Sequence, residues 1–175
     1  MGDQQLLGGN ASLAGAWVLD LSRSETMEVY LRCMLAPEAL IAQQVAGEQA
    51  QVSRNVIALD AATLTVHRHT RVSRYTERYE IGQETVAHTP FGENRTLVTL
   101  GGGGNLGTII ITTCLPSAVG EVHQTETRQL LDNGSIHSQV IHLTNPATGQ
   151  QCVTTRTWVR VAVTQQDRAQ LVHVN

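Results

Sequence analysis

The chain has 175 residues, enough for one domain that buries a core or encloses a cavity. Its net charge of −3 and isoelectric point near 6.1 argue against a nucleic-acid partner. All twelve basic residues are arginine, so no lysine Schiff base or lysine nucleophile can operate.

Residues 1–12 form a Gly/Gln-rich leader without the basic and apolar regions of a signal peptide. Gly2 could accept a myristoyl group, but Leu6 stands where Ser or Thr is wanted. Residues 13–20 read as a strand. Ser24 is placed to cap a helix over 26–35, in which Met27, Tyr30, Leu31 and Met34 follow helical spacing. Glu25 and Glu28 then sit in the first turn, where the helix dipole favours them. Pro37 opens a second helix over 37–46 with Ala39, Leu40, Ile41 and Val45. From residue 50 the chain reads as strands near 50–58, 62–70, 73–81, 84–89, 94–100, 106–114, 121–131, 135–144 and 151–163. Turn residues separate them, and Asp132-Asn133-Gly134 is the strongest hairpin signal. Residues 164–175 follow as a polar tail.

This pattern predicts an all-β fold: a ten-stranded, antiparallel, up-and-down β-barrel of the lipocalin or calycin kind. A two-helix lid lies between strands 1 and 2. The barrel domain spans 13–163, and closure would leave no free strand edges. Strands such as Thr63 to Thr70 are polar on both faces, and the chain has six aromatic residues. Both features suit a wet interior better than a dry sandwich.

Cys33, Cys114 and Cys152 are odd in number and show no CxxC, so buried, reduced thiols in a cytosolic protein are expected rather than a disulfide frame or a zinc site. No apolar run approaches the ~18 residues of a transmembrane helix. His67 and His69 share a strand face, and His123, His137 and His142 lie on other strands. No third metal ligand is close in sequence, and exposed strand histidines are expected. A haem in the lumen would need a proximal histidine such as His123 or His142. Gly101 to Gly104 lacks the Lys-Ser/Thr and helix start of a phosphate loop. No nucleophile, base and acid stand at a catalytic spacing, so no enzyme and no cofactor is expected. Asp20 reads as a turn residue.

Several short segments, in collinear order over about residues 13–161, resemble the intracellular lipid-binding proteins, the fatty-acid-binding and cellular retinoid-binding family. Gly15-Ala16-Trp17-Val18-Leu19 is similar to that family's opening Gly-x-Trp-x-Leu, and Ser24 to Arg32 to the start of its first helix. Tyr75-Thr76-Glu77 and Tyr79 to Glu84 resemble its Asn-Thr-Glu and Phe-x-Leu-Gly-Glu-Glu hairpin. Thr127 to Gly134 resembles Val-Arg-Glu-Leu-x-Asp-Gly, and Cys152 to Val161 resembles the closing Cys-Thr-Arg-x-Tyr-x-Lys. The resemblance implies that Arg128 and Arg156 hold a ligand carboxylate. Trp158 replaces the tyrosine that would join them, and indole can donate a hydrogen bond but not relay one. Met27 stands where the family has phenylalanine.

The last strand carries two faces. Cys152, Thr154, Arg156, Trp158 and Arg160 form one, and Val153, Thr155, Thr157, Val159 and Val161 the other. Periodicity alone turns the valines inward, whereas the resemblance turns Arg156 inward. Inward arginines leave Val159, Val161 and Val163 needing cover from the tail or a protein partner. Arg128 shares a face with Gln124, Glu126 and Leu130, so Glu126 can offset its charge. A buried arginine without a counter-charge is very costly.

The resemblance therefore implies non-enzymatic binding and transport of a hydrophobic anion, such as a long-chain fatty acid. Arg128, Arg156 and Trp158 would meet the carboxylate. Met27, Tyr30, Met34, Leu64 and Val66 would line the tail's path. The lid would gate access and touch membranes transiently. The alternative is a barrel without cargo that serves as an interaction or structural module.

Overall fold

The structure, a computed structural model, describes residues 12–70, 74–89, 92–117 and 120–172. Gly2 and nearly all of the leader lie outside them. Ten strands run β1 (Gly15–Leu19), β2 (Arg54–Leu59), β3 (Thr63–His69), β4 (Arg74–Glu80), β5 (Glu84–Thr89), β6 (Gly92–Gly101), β7 (Asn105–Ser117), β8 (Gly120–Leu131), β9 (Ile136–Asn145) and β10 (Gln150–Val161). Helices α1 (Glu28–Cys33) and α2 (Glu38–Ala50) lie between β1 and β2, and α3 (Gln165–Val172) follows β10.

All pairings are antiparallel, in the order β4-β3-β2-β1-β10-β9-β8-β7-β6-β5. The β1–β10 ladder turns this meander into a ten-stranded, nearly closed barrel. Closure is less complete than expected: among the described residues, no ladder joins β4 to β5. The turn between them explains the gap. The Ile81 amide donates to the Ala62 carbonyl and the Gly82 amide to the Val98 carbonyl, both at 2.8 Å, so this turn is tied to the flanking strands and its own hairpin splays.

The helical segment departs locally from expectation. Ser24 does not cap α1. Its hydroxyl accepts the Thr157 amide at 2.9 Å, and Glu25 accepts the Thr155 amide at 2.6 Å. Both residues extend the sheet along β10, and α1 starts only at Glu28, with no side-chain cap. Pro37 does precede the second helix. That helix runs on to Ala50, so β2 starts at Arg54 rather than 50. The polar tail also contains a helix, α3. Thr164 and Asp167 form a reciprocal cap, Thr164 N–H to the carboxylate at 2.6 Å and Asp167 N–H to the hydroxyl at 3.2 Å.

Inside and outside alternate along the strands. On β10 the arginine and tryptophan face is inward, and Val153 is exposed on the other. Outward Ala16 and Val56 are nonetheless fully buried, and α3 lies on β2 at this face, anchored by Arg54 to Asp167 at 2.5 Å. The chain's own tail thus supplies cover beside the outward valines.

The base of the barrel is dry. Leu13, Trp17, Leu19, Ile57, Leu64, Val66, Val98, Ile109, Ile111 and Trp158 form its core. Gly15 opens space here, because a Cβ on it would stand 2.6 Å from an Arg160 nitrogen. Arg160 lies over the Trp17 ring at 4.2 Å and donates to the carbonyls of Ser12, Ala14 and Gly134, closing the base. A second cluster of Cys33, Val122 and Leu143, with Met34 and Cys152 against it, seats α1 on the far end.

Candidate functional site

Between these two cores lies a cavity of about 380 Å³. This is within the range of small-molecule sites. Its apolar wall includes Met27, Ile111, Leu115, Ile141 and Trp158. Its polar wall includes Tyr30, Asn55, Arg68, Glu77, Gln124, Glu126, Gln139 and Arg156. The mixed lining matches the wet interior expected from strands polar on both faces.

The barrel sets three arginines around this space, each with its own glutamate. Arg156 on β10 pairs with Glu48 of α2 at 2.6 Å, and both side chains are largely buried. Arg68 on β3 pairs with Glu77 of β4 at 2.7 Å. Arg128 pairs with Glu126 two residues before it on β8, at 2.5 Å. Period-2 spacing puts this last pair on one face, and neither residue has appreciable exposure. Burial works against the charge on both. Arg128 and Arg68 outweigh that for Glu126 and hold its pKa below the ordinary value. Burial lowers the pKa of Arg128, and Glu126 acts in the opposite sense.

The two arginines of the expected clamp therefore hold different positions. Arg156 lines the cavity. Arg128 does not, since it lies behind Glu126 and Trp158, with its guanidinium carbon 6.0 Å from the Trp158 ring centre. Its Nη1 and Nη2 are buried without a hydrogen-bond partner. Trp158 lines the cavity, but its N–H is already committed to Gln139 Oε1 at 2.7 Å. Tyr30 lines it too and donates to Gln124 Oε1 at 2.7 Å. Burial, and then Glu126, push the Tyr30 phenol up to about 12, so it stays a neutral donor. Met34 is no part of the wall, because it packs under α1 against the second core. Leu64 and Val66 likewise belong to the dry base. Met27 lines the cavity.

Four participants went unrecognised in the sequence. Arg68 and Glu77 sit opposite Tyr75 and Val66 in the β3–β4 register, on one inward face. Gln139 on β9 faces Arg156 on β10 and Arg128 on β8. Glu48 carried a legible signal. Ile41, Val45 and Glu48 follow the i, i+4, i+7 spacing of a single helix face, and these positions are buried or half-buried on an otherwise mostly exposed helix.

The histidines divide. His123 and His142 are exposed outside the barrel, so neither faces the lumen. His137, expected at the surface, is fully buried between Trp17 (4.5 Å, edge-on) and Trp158 (5.8 Å, stacked). Burial, with Arg128 and Arg160 nearby, pushes its pKa well below 6.5, so it is a neutral aromatic of the core. All three cysteines are free. Cys33 is buried, whereas Cys114 and Cys152 are half-buried. Burial and the neighbouring Cys33 push the Cys152 thiol up to about 11. Cys114 meets Glu121 and His123 on the outer face, with potential ligand atoms within 4.8 Å of one another. Arg95 already bonds Glu121 there at 3.0 Å and supplies a positive charge. Among the described residues, no helix is long and apolar enough to cross a membrane.

A nearly closed ten-strand meander, a helical pair after its first strand and an internal cavity are now in place. The chain has the fold of the intracellular lipid-binding proteins. The REP1-NXSQ fatty acid transporter superposes with a TM-score of 0.64 at 18% identity, over 87% of this chain and 98% of that one. A Schistosoma mansoni fatty acid binding protein, in complex with arachidonic acid, superposes with a TM-score of 0.65 at 13% identity, over 89% and 100%. Caenorhabditis elegans lipid binding protein 8, in its apo form, gives 0.64 at 17%, over 85% and 94%. No protein-family model and no curated sequence matches the chain. The fold is thus shared with these proteins at 13% to 18% identity.

Proposed function

We propose that the barrel binds a hydrophobic carboxylate such as a fatty acid, reversibly and without chemistry, and carries it through an aqueous compartment such as the cytosol. One observation carries the reading: a largely buried guanidinium, Arg156, forms part of a cavity wall that also presents Met27, Ile111, Leu115 and Ile141. Apolar burial supplies affinity, and a charge-assisted hydrogen bond fixes the headgroup. Fold neighbours that are a fatty acid transporter and a fatty acid binding protein support the same direction. In this reading Arg156 meets the carboxylate directly. Arg128 contributes its positive potential from behind Glu126, and Tyr30 and Trp158 shape the wall.

A second reading, a barrel without cargo, draws on one feature. The three arginines set around the cavity, Arg68, Arg128 and Arg156, already have a glutamate from the same chain. Titration of a fluorescent fatty-acid probe separates the two. The carrier reading expects saturable binding that weakens at least tenfold in Arg156→Met. No saturable binding by the intact protein would leave the cargo-free barrel standing. Binding indifferent to Arg156→Met would remove Arg156 from the headgroup site.

A further inference from the structure

Glu48 is an odd residue to find in its place. It lies in the last turn of α2, where the negative end of the helix dipole disfavours a carboxylate, and no basic residue of that turn offsets it. Its side chain faces inward and meets Arg156 at 2.6 Å. One Glu48 oxygen and Arg156 Nε have no hydrogen-bond partner although buried, so the pair is held by a single contact. Elsewhere α2 packs chiefly on α1, with Ile41 as its one buried side chain. The Glu48–Arg156 pair therefore ties the end of the lid helix to the barrel wall.

Charge balance shows what a ligand must do. The three arginines and three glutamates around the cavity sum to zero. A ligand carboxylate added to that set would leave an uncompensated buried anion, which is strongly disfavoured. One glutamate must leave. Glu126 is fixed on β8 with almost no exposure, and Glu77 on β4 is held by its ion pair with Arg68, diagonally across the β3–β4 ladder. Glu48 stands on a helix that forms no ladder with the sheet, and its side chain can turn outward to water.

Resting on the carrier reading above, we propose that Glu48 is an intramolecular competitor for the headgroup site. An anionic lipid binds by exchanging with Glu48 on Arg156, and that exchange unlatches α2. Glu48 thereby sets both the affinity for carboxylates and the selectivity of acid over neutral lipid. A neutral lipid cannot displace it and gains nothing from its removal.

The test compares the intact chain with Glu48→Gln, which keeps size and hydrogen bonding but removes the charge. Dodecanoate and 1-dodecanol are titrated into each, with tryptophan fluorescence as the readout, since Trp158 lines the cavity. Amide exchange of Glu38–Ala50 is followed in parallel. The expected result is dodecanoate binding about tenfold tighter in Glu48→Gln, with the 1-dodecanol dissociation constant changed less than twofold. Exchange in α2 should rise on adding dodecanoate to the intact chain, and should already be raised in ligand-free Glu48→Gln. Equal dodecanoate affinity in both proteins, or equal shifts for acid and alcohol, overturns the competitor role and leaves the carrier reading intact. No saturable binding of either lipid by either protein overturns both.

Discussion

Two arginine–glutamate pairs, similar in chemistry, do different things in this barrel. Arg128–Glu126 joins neighbouring inward positions of one strand, and both side chains are buried. Arg156–Glu48 joins a strand to the end of a helix, and one partner can reach water. The first is a structural element, fixed and mutually dependent. The second is a contact between two parts of the fold that can separate. An ion pair's role is thus decided by whether its two backbones are tied together, and not by its length, since the two differ by only 0.1 Å.

The sharpest way to break this comparison is to remove one partner of each pair. Arg128→Met leaves Glu126 buried without its partner and should cost about 3–5 kcal/mol in urea unfolding. Arg128→Met with Glu126→Leu should recover most of that loss, because two apolar side chains leave no orphaned charge. If the single variant costs as little as a surface pair, the buried pair is not mutually dependent.

Acid titration probes the same region. His137 lies between the tryptophans near Arg128, with its pKa well below 6.5. Below pH 6.5 the unfolded imidazole takes up a proton that the folded one refuses. Stability is therefore complete above pH 6.5 and falls as pH drops towards the folded pKa, by about 1.4 kcal/mol per pH unit. Glu126, with its pKa lowered from 4.5, adds a further loss only as pH falls below that value. His137→Leu should remove most of the first window, with His69, whose pKa is also lowered, keeping a small part, and should keep the second, as measured by urea unfolding from pH 7 to 3.

Arg156→Met should cost only about 1 kcal/mol of stability, because Glu48 can rehydrate, while weakening fatty-acid binding at least tenfold. A loss as large as that for Arg128→Met would erase the distinction between the pairs. The smallest effect belongs to Arg95→Ala. Its bond to Glu121 is well exposed at both ends, and a urea midpoint indistinguishable from that of the intact chain is expected. That variant sets the surface baseline for the other two.

The β-meander was legible because hairpins are local. Turn residues and period-2 alternation placed nine strands to within a few residues, and Asp132 to Gly134 marked a tight turn. The face of β10 was not decided by alternation, which pointed Val159 and Val161 inward. The resemblance gave the observed direction, and the structural reason is a lumen in which glutamates match the arginines. Ser24 and Glu25 misled because their capping chemistry serves the neighbouring strand instead. The α3 helix was overlooked although Thr164-Gln165-Gln166-Asp167 spells a capping box. Glu126 as the partner of Arg128 could be read from two-residue spacing. Glu48 and Arg156 lie 108 residues apart, so no local pattern could join them. His137 was misplaced for the same reason, because its two tryptophan neighbours come from β1 and β10.

Whether a ligand carboxylate takes the place of Glu48 on Arg156 is decided by a crystal structure of the intact chain with dodecanoate. The account predicts the carboxylate within hydrogen-bond distance of Arg156, Glu48 turned out to water, and Arg128–Glu126 unchanged. A bound carboxylate lying elsewhere, with the Glu48–Arg156 contact still formed, would contradict it.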